Sequence, residues 1–238
     1  MPNQKRARTK PVPIHSARER RRTFKRWLRS FKQVKAAVFD LTHKRHIYRE
    51  VTAIIQANPR LNVPSAFYDW MRRVYITDMT IDIRKLVDWD RRTVSFVTLM
   101  QEIEDHPEVI SRRRYVSKYR GLLRRYGNRD FERFAKPGAE FIDRKIIRRH
   151  RRELIDSQRR LREFVNRHVA HRSRYLLRRL PTYSELDACV DLIGKLLKEY
   201  ALLLEQIALT KIVPVIQYDW KAPFRVPWID AKKVERMY

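Results

Sequence analysis

Apolar residues recur at intervals of three, four and seven along most of the chain, which is the period of amphipathic helices. Strand-like alternation appears only weakly, at Val213 to Tyr218. Phe31, Val34, Val38, Leu41, Tyr48 and Ile55 form one stripe running to Asn58-Pro59, and Ser16 with Glu19 three residues on marks its start as a capping box. So long a helix predicts a break near Thr42 to His46. Pro64-Ser65 opens a second helix with Phe67, Trp70, Met71, Val74, Ile81 and Leu86, ending near Asp88, where Arg84 and Asp88 are spaced to bridge along one face. A short helix after Asp90-Arg91-Arg92-Thr93 carries Phe96, Leu99, Met100 and Ile103 and stops at His106-Pro107. From 107 to 140, Gly121, Gly127, Pro137 and Gly138 divide the chain into shorter helical pieces and loops. A long helix from about Glu140 then passes through Ile147, Leu154, Leu161 and Phe164 towards His171. Thr182 and Glu185 form a second capping box ahead of the most regular stripe, Leu186, Val190, Ile193, Leu197, Tyr200, Leu204 and Ile207. From Pro214 onward, Pro223 and Pro227 with Trp220, Phe224 and Trp228 predict an extended tail lying across the body.

The fold class is therefore all-α, an up-and-down helical bundle. Residues 1–15 form a basic, Pro-containing flexible arm. Residues 16–210 form the helical domain, with an arginine-rich insert at about 107–145, and 211–238 form the C-terminal tail. A chain of 238 residues with 43% hydrophobic side chains has enough apolar material for one good core or two small ones. Four glycines, with neither GxGxxG nor GxxxxGK[ST], exclude a Rossmann or P-loop nucleotide site. The one cysteine, Cys189, excludes an internal disulfide and a Cys-based zinc site. No long uncharged apolar run and no signal-peptide core are present, so the expectation is a soluble, cytoplasmic protein with no membrane partner.

Charge changes the picture most. The chain carries 55 Lys+Arg against 27 Asp+Glu, a formal net charge of +28. Residues 1–35 hold net +12 and residues 112–174 net +15, so two segments contain nearly all the excess. Such a distribution repels itself unless a polyanion neutralises it, and counterion release makes a phosphate backbone the matching partner. Most of the second segment's bases are arginines, whose planar forks fit phosphate oxygens and stack on bases. Arg20, Arg21 and Arg22, then Arg148, Arg149, Arg151, Arg152, Arg159 and Arg160, are the candidate nucleic-acid-binding residues, with RNA preferred to DNA only on the motif described next. A solvated basic face is the plain alternative. A membrane surface fits less well, because no strongly apolar face accompanies the basic runs.

The run Phe164-Val165-Asn166-Arg167-His168-Val169-Ala170-His171-Arg172 carries the candidate chemistry. At about 100° per residue, His168 falls inside the stripe of Ile147, Leu154 and Leu161, where it reads as a hydrogen-bonded core or seam histidine. His171 falls at the stripe's edge near Arg160 and Arg167. Nearby cations lower an imidazole's pKa from roughly 6.5. A neutral base beside phosphate-binding arginines suits cleavage of RNA through its own 2′-hydroxyl, with an arginine stabilising charge on phosphorus and no metal required.

The same segment, followed by a short linker and a capped amphipathic helix, resembles the motif of the HEPN superfamily. Tyr75-Ile76-Thr77-Asp78 through Ile83-Arg84-Lys85-Leu86-Val87-Asp88 and Thr93-Val94-Ser95 is similar to its abortive-infection U-type branch. The resemblance implies an α-helical protein, commonly a homodimer, and a metal-independent endoribonuclease of phage defence or a toxin–antitoxin system, without cofactor. His171, Asn166 and Arg167 would be its catalytic residues, with an antitoxin or defence-system protein as a further partner. The chain departs from the family pattern in one respect. Asn166 matches the polar position, whereas Val165 stands where the arginine usually is, leaving Arg167 to substitute by its i,i+4 placement on the same side of the helix as His171.

Weaker constellations carry less. His43 with His46, and His168 with His171, have H-x-x-H spacing but sit among arginines and lysines, so no metal site is expected. Asp78, Asp82, Asp88 and Asp90 have the oxygen ligands a hard cation takes, yet read first as partners of Arg84, Arg91, Arg92 and the basic segments. Trp220, Phe224 and Trp228 suit either stacking on bases or docking on the bundle. Three readings follow: a HEPN-type ribonuclease, a non-catalytic component gripping a phosphate backbone, and a toxin whose basic face is covered by an acidic antitoxin.

Overall fold

The computed structural model describes residues 13–164 and 182–228. Asn166, Arg167, His168 and His171 lie outside the described residues, as do most of the arm and the last ten positions. Within the described residues the chain is a bundle of eight α-helices, and no strand is formed. Residues 213–218, where the sequence alternates weakly, run without regular structure.

The first helix, α1 (Ala17–Ala57), is continuous through Thr42 to His46, contrary to the expected break. The polar residues there are engaged from the side. The Thr42 hydroxyl donates to the carbonyls of Phe39 and Ile212, and Arg45 donates to Asp191 at 2.7 Å. The start of α1 also differs from expectation, because Ser16 makes no side-chain cap. Ile14 fixes the entry instead: its N–H donates to the Glu108 carboxylate, and its carbonyl accepts from Arg20.

The second helix, α2 (Ala66–Leu86), starts at Ser65, whose hydroxyl accepts from the Phe67 N–H. Only its second half packs: Met79, Thr80, Ile83 and Leu86 are buried, whereas Phe67, Trp70 and Val74 stay about half exposed. Asp88 lies beyond the helix end, so Arg84 and Asp88 do not bridge. The Asp88 carboxylate instead accepts from the Asp90 N–H in the following turn. A capping box of Ser95 and Thr98 opens α3 (Phe96–Asp105), which is buried on most sides.

After a 3₁₀ turn at Pro107–Val109 come α4 (Arg112–Val116) and α5 (Arg124–Glu132). Asp143 caps α6 (Arg144–Ser157), which begins later than the sequence pattern suggests. The helix then breaks at Gln158. That residue is buried at 2% exposure, and its carbonyl accepts from the Arg162 N–H, so α7 (Arg159–Phe164) restarts at once. The capping box of Thr182 and Glu185 forms as expected and opens α8 (Tyr183–Glu205), which ends at Gln206 in the left-handed region.

Helix α1 packs along α2 and α8, α3 lies between α1 and α6, and α6 closes on α8. Trp27, Phe31, Phe96, Met100, Ile103, Phe134, Ile147 and Tyr200 form the centre of the core. Residues after α8 return across the bundle. Lys198 donates to the Thr210 carbonyl, and an added Cβ on Gly194 would lie 2.2 Å from Ile212 Cδ1. Cys189 is fully buried, and burial raises its thiol to about 11 against a weaker opposing contact with Ser157.

Tyr200 is also sealed, packed edge-on against Phe96, Phe134 and His150, and its hydroxyl has no hydrogen-bond partner among the described residues. A buried unpaired hydroxyl costs about 1–3 kcal/mol. Tyr200→Phe is therefore expected to stabilise the fold by about 1 kcal/mol, raising Tm by roughly 2–4 °C. A lower Tm in calorimetry would refute this.

Candidate functional site

The basic start of α1 and the basic helix α6 flank α3. On one flank, Glu102 accepts from Arg26 at 2.9 Å and from the Trp27 indole N–H at 2.8 Å, both on α1. On the other, Glu104 accepts from Arg148 at 2.7 Å and Arg151 at 3.0 Å, both on α6. Arg144 reaches the carbonyl of Asp105. Positions 102 and 104 point to opposite flanks of a helix at about 100° per residue, so the outer strip of α3, with Gln101 and Asp105, runs between two basic rows. Arg20 closes one end by stacking over Phe141, three residues before Arg144.

The predicted binding residues divide accordingly. Arg22 is exposed on the α3-facing side of α1, in step with Arg18, Arg26 and Arg29. Arg21 points elsewhere, and Arg20 is occupied by Ile14 and Phe141. On α6, Arg149 and Arg152 face solvent together with Lys145, and Arg148 is half exposed beside Glu104. The Arg151 side chain is 13% exposed and acts as an internal partner of Glu104. Arg159 pairs with Asp156 and Arg160 with Glu185, around a shallow depression at the start of α7. Sequence reasoning misses Arg18, Arg26 and Arg29. The signal is there, since bases at 18, 22, 26 and 29 keep the helical spacing that the adjacent triplet at 20–22 does not.

Of the acidic group, Asp90 pairs with Arg92 as expected, whereas Asp78 and Asp82 on α2 meet a lysine instead of an arginine. Lys44 of α1 lies within 2.9 Å of Asp40, Asp78 and Asp82. Partial burial works to lower its pKa, but the hydrogen bonds to Asp82, Asp78 and Asp40 outweigh it and hold the ammonium above its ordinary value. Among the described residues, no group of three or more His, Cys, Asp or Glu side chains is placed to hold a metal ion. His46 faces the edge of Trp220, which also meets Phe224, so that part of the tail is docked on α1; Trp228 is 66% exposed. Burial, and then Arg149, lower the pKa of His150, which is therefore neutral at pH 7. No helix of the described residues is long and apolar enough to cross a membrane.

A long first helix, a capped amphipathic last helix and an intervening arginine-lined helix pair define an all-α domain of HEPN type. The HEPN_AbiU2 family model (AbiU2) matches residues 32–219, and the chain belongs to that family, an abortive-infection branch of HEPN domains. No curated protein and no solved structure matches the chain significantly.

Proposed function

We propose that this protein binds RNA across the two basic rows flanking α3 and cleaves it without a metal as part of an abortive-infection response in the cytoplasm. The observation that carries the reading is that the basic start of α1 and the basic helix α6 lie on the two flanks of α3. There Arg22, Arg29, Lys145 and Arg152 are exposed and make no ion pair among the described residues. Bases free of acidic partners release counterions to a phosphate backbone.

In the proposed reaction the 2′-oxygen attacks the adjoining phosphorus, His171 takes the 2′-hydroxyl proton, and the departing 5′-oxygen is protonated. The products are a 2′,3′-cyclic phosphate and a 5′-hydroxyl. Arg167, with Asn166 and Arg160 nearby in sequence, would hold the scissile phosphate. The protein would act as a homodimer, restrained by an antitoxin or defence-system partner. Val165 at the usual arginine position favours a second reading, in which the same surface grips RNA without cutting it.

One experiment separates the two. Wild type and His171→Ala are incubated with mixed cellular RNA in chelator, and the fragment ends are examined. Cyclic phosphate ends from wild type alone are expected. Intact RNA bound equally by both proteins would leave the non-catalytic reading standing.

A further inference from the structure

The connection between α2 and α3 presents an indole that the bundle does not use. Trp89 is 53% exposed, although its neighbours are fixed: Val87 is buried, and the Asp88 carbonyl accepts from the Ser95 hydroxyl. Across from it, Arg162 of α7 places its guanidinium 4.6 Å from the indole ring centre. Between the two elements lies a groove of about 290 Å³ lined by Arg84, Val87, Asp88, Trp89, Gln158 and Arg162. Gln158, where α6 breaks, is 2% exposed and lines this groove.

These groups are complementary to one flat, polar-edged aromatic ligand with an anionic attachment. The groove lies at the small end of the roughly 300–1,000 Å³ range of ligand pockets, which suits a single base. The half-exposed indole and the Arg162 guanidinium lying over its ring are the aromatic and cationic planes on which a base stacks. The Gln158 carboxamide offers both a donor and an acceptor to a base edge. Asp88 uses one carboxylate oxygen on the Asp90 N–H, leaving the other to accept from an exocyclic amino group. Arg84, exposed at the rim, is placed for a phosphate.

We propose that this groove is a nucleobase pocket that captures one unstacked base of the bound RNA and prefers bases carrying an exocyclic amino group. The proposal rests on the RNA reading above and deepens it. The basic rows supply affinity without regard to sequence, and the pocket supplies a preference. In sequence, Arg162 of the groove stands nine positions before His171.

The test uses the full chain with fluorescent 2′-O-methyl oligonucleotides, which lack the attacking hydroxyl, as ten-residue runs of A, C and U. AMP is titrated separately by tryptophan fluorescence. Wild type is expected to bind A and C runs more tightly than U. Trp89→Ala is expected to bind the A and C runs about tenfold more weakly, the size of one base-stacking interaction, with its salt dependence unchanged and its AMP quench abolished. Gln158→Leu, of similar volume, is expected to narrow the preference over U while the quench remains. Circular dichroism and Tm report whether each variant is folded. Trp89→Ala binding every oligonucleotide as wild type does would overturn the pocket and leave the RNA reading intact. AMP quenching at Trp89 with no oligonucleotide bound would support the pocket and overturn the RNA reading, and binding of neither would overturn both.

Discussion

Replacing Arg22, Arg29, Lys145 and Arg152 together with glutamine is expected to weaken RNA binding by about 10²- to 10³-fold at low salt, on the basis of roughly 1 kcal/mol for each cation–phosphate hydrogen bond removed. The slope of log K against log salt should become shallower by about 3, since each neutralised phosphate on a single strand contributes roughly 0.7. These four side chains are exposed, lie in the rows on either side of α3, and have no acidic partner among the described residues, so their removal takes nothing from the fold. The matched control is Arg60, Arg73, Lys195 and Lys211, four exposed bases outside those rows. Filter binding or anisotropy over a salt series makes the comparison. Equal weakening by the two sets would mean that net charge alone, and not this face, governs binding.

Glu104→Gln is expected to destabilise the protein by about 3–5 kcal/mol. Glu104 is 3% exposed and holds both Arg148 and Arg151, and the Arg151 side chain is itself 13% exposed. A carboxamide fills the same space but leaves a mostly buried guanidinium without a counter-charge, which is costlier than the missing attraction itself. For a chain of this size the destabilisation corresponds to a Tm lower by roughly 6–20 °C. Glu102→Gln is the contrast. That carboxylate is 45% exposed and pairs with an Arg26 that is 55% exposed, so the expected destabilisation is about 1 kcal/mol or less. Similar melting temperatures for the two variants would show that Glu104 is not the internal counter-ion described. The consequence for function is that α3 carries acid inward to hold the basic helices while its outer strip remains available.

Local signals are legible in the sequence and long-range ones are not. The Thr182 and Glu185 box and the stripe through Leu204 depend on neighbours in sequence, and α8 forms as they require. Ser16 and Glu19 have the same spacing, yet Glu108, far along the chain, takes control of the helix entry through Ile14. The polar stretch from Thr42 resembles a break because the partners that absorb it, Ile212 and Asp191, lie on the returning tail and on α8. On α2 the helical period is plain, but the packed face is set by Met79 and Ile83, which the stripe through Phe67, Trp70 and Val74 omits. Lys44 is invisible as the partner of Asp78 and Asp82 for the same reason, since it sits on another helix. The cationic stretches are plain from counting, whereas which arginines face outward requires knowing that Glu102 and Glu104 sit on opposite flanks of one helix. The histidine motif lies outside the described residues, and its roles rest on the sequence.

The sealed thiol has a practical consequence. Cys189 is the chain's one cysteine, and burial and a raised pKa both suppress its thiolate at neutral pH. Maleimide and iodoacetamide reagents should therefore pass over the native protein, and a cysteine introduced at an exposed site would be the only one to react. Spin labels, cross-linkers or dyes can then be attached at chosen points without first removing the natural residue.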